Sequence, residues 1–66
     1  MSAYSDVMRD LAAYDGDRSK LMEFYSQEME NIQRAYGGSP SDIPANSDHE
    51  YHDLKKKLNL LNSLKV

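Results

Sequence analysis

A chain of 66 residues has room for one domain, and a core of that size buries only about 60% of the surface its unfolded chain exposes. There is no cysteine, so disulfides and thiolate metal sites are excluded, and stability must come from helix packing, self-association or a partner. The net charge of −3 disfavours general nucleic-acid binding, and no apolar run approaches the ~18 residues of a membrane span.

The N-terminal residues Met1 to Asp6 lack the basic stretch and apolar core of a signal peptide, so the expected location is cytoplasmic. From Ser2 to about Tyr14, Tyr4, Val7, Met8, Leu11 and Ala12 follow the i, i+3, i+4, i+7, i+8 spacing of one helix face. Ser2 or Ser5 is a suitable cap, and Asp6 suits the first turn. Asp15-Gly16-Asp17 then interrupts, because glycine costs about 1 kcal/mol inside a helix.

Residues 17–36 carry the strongest helical signal. Met22, Tyr25, Met29, Ile32 and Tyr36 alternate spacings of four and three, the a/d seam of a coiled coil, and Leu21 widens the stripe. Glu30 and Arg34 stand four apart in the favourable order. Gly37-Gly38 ends the helix, and Pro40 forbids its resumption nearby. Counted backward, the same spacing passes through Arg18, Asp15, Leu11, Met8 and Tyr4 without a slip. Residues 3–36 therefore read either as one long helix or as two with a bend near Gly16, and the polar Asp15 and Arg18 beside the glycine favour the bend.

Residues 37–47 are a loop by composition, with Ile43 as its anchor and Pro44 stiffening it. Ser47-Asp48-His49-Glu50 predicts a capping box that starts the last helix, with Ser47 as cap and Glu50 reaching back. Tyr51, Leu54, Leu58 and Leu61 continue the helical spacing to about Leu64. The expected fold is all-α: one small domain, 1–66, built as an antiparallel hairpin of helices 17–36 and 48–64 with an additional N-terminal helix over 3–14. Charge supports that pairing. Residues 1–36 hold seven acidic and four basic side chains, whereas residues 51–66 hold four lysines and one aspartate. The hairpin would set Lys55 to Lys57 opposite Glu28 and Glu30, and Lys65 opposite Asp15 and Asp17, each exposed pair contributing only ~0.2–1 kcal/mol.

Little here points to chemistry. Asp48-His49-Glu50-Tyr51-His52-Asp53 could offer two ligands on one helix face, His49 with Asp53 or Asp48 with His52, but a stable zinc site needs three or four. The cluster reads as an acid-rich helix start, and neither a metal nor another cofactor is expected. No serine sits in a nucleophile-elbow motif, and Gly37-Gly38 lacks the lysine of a phosphate loop. A three-helix chain also hardly encloses a small-molecule pocket, so neither an enzyme nor a small-molecule substrate is expected. Lys55-Lys56-Lys57 falls short of the five-to-eight-residue basic patches that carry nucleic-acid binding, which is therefore unlikely on this reading.

Tyrosine and methionine suit adaptable contact surfaces. The candidate partner-binding residues are Tyr4, Met8, Leu11, Met22, Tyr25, Met29, Ile32 and Tyr36. The first helix either packs beside the hairpin or projects away from it; because the hairpin can close its own seam without them, Tyr4, Met8 and Leu11 are expected to dock on a partner. The sequence thus reads as a helical binding or assembly protein, acting on another protein or on its own copies and not on a membrane. A structural subunit of a larger particle, such as a virion or secretion assembly, is the alternative, and a weak nucleic-acid binder using Lys55 to Lys57 is a third.

Overall fold

A computed structural model describes residues 2–64. The order is α1 (Ala3–Ala13), α2 (Arg18–Tyr36), a single 3-10 turn (Pro40–Asp42) and α3 (His49–Ser63), with no strand among the described residues. The three helices start within one residue of the expected positions, and α2 and α3 form the expected hairpin.

Local chemistry sets each boundary. The Ser2 hydroxyl accepts the Ser5 N–H at 3.2 Å and caps α1. Beyond Tyr14 the chain turns through two left-handed residues, Asp15 at φ 56° and Gly16 at φ 77°, and the Gly16 N–H donates to the Leu11 carbonyl at 2.8 Å. Residues 3–36 are therefore two helices with a bend. Asp17 caps α2 by accepting the Lys20 N–H at 3.1 Å. At the other end Gly37 and Gly38 donate to the Gln33 carbonyl at 3.1 and 2.8 Å, with φ of 136° and 100°. A Cβ on Gly37 would lie 2.7 Å from Asp42 Oδ2, so the stop needs glycine twice over.

The cap of α3 departs from the expected box. Asp48, itself left-handed at φ 55°, is the N-cap, and its carboxylate accepts the Tyr51 N–H at 3.0 Å. The Ser47 hydroxyl instead donates to the Pro44 carbonyl at 3.3 Å. Both residues are good caps, and the turn that follows Pro44 takes the serine, leaving the aspartate to the helix. Ile43 is buried as expected, and the His52 Nε2–H donates to the Pro44 carbonyl at 3.2 Å, which ties the loop to α3.

The core draws Val7 from α1; Leu21, Tyr25 and Met29 from α2; Ile43 from the loop; and Tyr51, Leu54 and Leu61 from α3. The stripe of α2 departs from the expected Met22 seam. The buried line of α2 runs through Leu21, Tyr25 and Met29, so Leu21 lies at its centre while Met22 and Ile32 are half-buried at its edge. Of the two placements open to the first helix, packing beside the hairpin is the one found: α1 lies chiefly on α3, with Val7 wholly buried. A hairpin alone leaves one side of its seam wet, and at this size the chain gains from covering that side with Val7 of the first helix.

The expected pairing of Lys55 to Lys57 with Glu28 and Glu30 does not form. The one ion pair among the described residues joins Arg9 to Asp6 at 3.0 Å. With α1 lying on α3, Lys56 and Lys57 share a cleft with Ala3, Asp6 and Asp53, on the side of α1. The Arg34 guanidinium bonds to the Asn31 side chain instead of Glu30. Lys65 lies outside the described residues.

Val7→Ala should cost about 2 kcal/mol and lower Tm by roughly 10 °C, from two lost methyl groups and the cavity left behind. Met8→Ala, one position along, should stay within ~0.5 kcal/mol. Thermal melts of the two variants check this. In the same assay Asp48→Ala should cost ~0.5–2 kcal/mol, the usual loss of an N-cap, and Ser47→Ala much less.

Candidate functional site

The eight candidate contact residues do not form one face. Tyr25 and Met29, at 1% and 9% exposure, belong to the core. Leu11, Met22 and Ile32 are half-buried and pack against it. Tyr4, Met8 and Tyr36 remain exposed, at 54%, 39% and 40%. Of these, Tyr4 and Met8 share a flank of α1 with Leu11, at the i, i+4, i+7 spacing that aligns side chains along a helix. That flank adjoins the Val7 line, and only Leu11 on it packs against the core. Its position is fixed from behind, since Val7 is buried and the Tyr25 hydroxyl donates to the Asp10 carboxylate at 2.7 Å, tying α1 to α2.

One exposed aromatic escaped the sequence reading. Phe24 is 44% exposed, with its ring 5.9 Å from Tyr14 and 6.2 Å from Tyr25 between centroids. It lies off the α2 seam, and its neighbour Tyr14 reaches it only because the chain turns back at Asp15 and Gly16. No periodicity within α2 could have signalled that contact.

Several polar groups tie the helices together. The Gln33 amide donates to the Tyr51 hydroxyl at 3.1 Å, linking α2 to α3. The Arg18 guanidinium donates to the Leu64 carbonyl, joining the start of α2 to the end of α3. Among the described residues no buried side-chain polar atom lacks a partner. The cleft bounded by Ala3, Asp6, Asp53, Lys56 and Lys57 has a volume of about 260 Å³ and a mixed-charge lining. His49 is exposed and His52 is engaged with Pro44, and no group of three or more His, Cys, Asp or Glu among the described residues is arranged to hold a metal ion.

Comparison of the chain with protein-family models, curated proteins and solved structures finds no match.

Tyr25 sits where ionisation of its phenol is disfavoured. Burial first, then the hydrogen bond to Asp10 and its negative charge, raises the phenol well above its ordinary 10.0. The neutral phenol is therefore the form the fold prefers. Its contribution to stability is complete below about pH 10 and is lost as pH climbs through the raised value. Thermal melts should show stability falling above about pH 10, with a shallower fall in Tyr25→Phe. At neutral pH that variant should be less stable by ~1–2 kcal/mol, because the hydrogen bond to Asp10 is gone.

Proposed function

We infer that this protein works by binding: it presents the Tyr4–Met8 flank of α1, with Leu11 half-buried beneath it, to another protein or to a second copy. The observation that carries this reading is the exposure of Tyr4 and Met8 on a helix whose adjoining Val7 line is locked into the core. A rigidly held tyrosine and an adaptable methionine make contacts at small cost in side-chain entropy, and a few such anchors dominate an interface. Tyr36 and Phe24 are secondary contacts on the same reading.

The mixed charge around Lys56 and Lys57 weighs against the nucleic-acid alternative. Asp6 and Asp53 line the same cleft and would repel a phosphate backbone approaching those lysines. No helix among the described residues is long and apolar enough to cross a membrane. A cytoplasmic protein acting on a protein partner, without a catalytic step, is the reading we adopt.

The test is a double substitution, Tyr4→Ala with Met8→Ala. Its melt should match that of the parent chain within a few degrees, because neither side chain is part of the core. Pull-down from the native source with quantitative mass spectrometry, together with sedimentation of the pure protein, should show a partner or a self-associated form that the parent retains and the variant loses by tenfold or more. Equal retention by both chains would count against this flank as the binding surface.

A further inference from the structure

We propose that α1 can leave its own α3 and dock on the α3 of a second copy, with residues 3–36 straightening into one helix, so that the chain forms a domain-swapped dimer. The proposal stands apart from what binds the Tyr4–Met8 flank, since the surface that changes hands is the inward one.

Three observations meet at the turn between α1 and α2. First, α1 packs chiefly on α3 and little on α2, its neighbour in sequence, so the contacts that hold it survive if α3 comes from another chain. Second, the connection is short and conformationally costly: Asp15, a residue with a side chain, is held left-handed at φ 56° beside Gly16 at φ 77°. Third, the core-facing register runs through the turn unbroken. Val7, Leu11, Tyr14, Arg18, Leu21 and Tyr25 are spaced four, three, four, three and four, and each of them is buried or half-buried in the folded chain. A straight helix of about 50 Å would therefore keep the Val7 stripe on the same side as Leu21 and Tyr25. Val7 would fill the gap in the partner's core, and Asp10 would accept from the partner's Tyr25. Short, strained connections of this kind favour exchange between copies.

Gly16 gives a clean lever. A Cβ added there meets nothing within 4 Å, so Gly16→Ala introduces no clash in the closed chain. It acts only through the backbone, disfavouring the left-handed turn and favouring the straight helix. Together these shift the balance about 30-fold per hinge, or roughly a thousandfold in the association constant of a two-hinged dimer. Asp15→Ala works in the same direction with a smaller shift, since aspartate tolerates the left-handed region better than alanine does.

The experiment uses the full chain carrying either substitution, refolded at high concentration and examined by sedimentation and circular dichroism. We expect both variants to be helical dimers at concentrations where the parent chain is monomeric, with Gly16→Ala the tighter. Because the chain has no cysteine, the exchange itself can be read out. Gly16→Ala chains bearing Ala3→Cys are refolded together with Gly16→Ala chains bearing Lys57→Cys, two positions that line the same cleft. A swapped dimer gives an interchain disulfide between the two substituted positions, identified by mass spectrometry. Variants that remain folded monomers, or dimerise without that disulfide, overturn the proposal. Loss of helix in both alanine variants also overturns it, because the straight form they favour would then have no packed state to reach.

Discussion

Val7, Leu21 and Leu61, one from each helix, are all at 0% exposure in a single cluster, and the remainder of the fold is arranged around that contact. With no cysteine and so few residues, this packed layer is what excludes water from the seam between α2 and α3. The Asp15-Gly16 turn exists to bring Val7 there. Its cost in backbone conformation is offset only because α1 then covers apolar surface on α3 that a bare hairpin would expose. The tyrosines fix the geometry around this layer. Tyr25 reaches Asp10 on α1, and Tyr51 is met by Gln33 on α2, so each neighbouring pair is joined by a bond that tolerates little rotation.

Element boundaries were legible because they are written in local chemistry. Ser2 and Asp17 are caps by residue type, Gly37-Gly38 is a stop by residue type, and the Asp-Gly-Asp run is a break. The choice between Ser47 and Asp48 was not legible. Both can cap, and only the turn following Pro44 decides which hydroxyl or carboxylate is free to do so.

The phase of the apolar stripe was the harder quantity. Met8 and Met22 are fourteen residues apart, and so are Val7 and Leu21, so two parallel stripes one residue apart run through the first two helices. The three-and-four spacing fits both. Packing selects Val7 and Leu21, whose compact side chains fill a tight layer, and moves the flexible methionines and the hydroxyl-bearing Tyr4 to the edge, where polar atoms keep their water. The same rotation decided the charges. Turning Leu54 and Leu61 inward brings Lys56 and Lys57 to the side of α1, away from Glu28 and Glu30. A count along the loop cannot see this, because it fixes how far along α3 a residue lies and not which way it faces. The candidate contact residues divide for that reason: facing separates the buried Tyr25 and Met29 from the exposed Tyr4 and Met8.

This division gives α1 two separable jobs. Its inward line supplies packing, and changes there are felt by the whole molecule, since a small core has few contacts in reserve. On its outward flank only Leu11 touches the core, so Tyr4 and Met8 are free to be chosen for what they meet outside. The two lines are only about 100° apart on the helix, which is the angle between successive residues. Whatever holds α1 in place therefore also aims Tyr4 and Met8, whether the α3 beneath it belongs to the same chain or to another. A surface aimed in this way does not have to be ordered on binding, and that lowers the entropy an association must overcome.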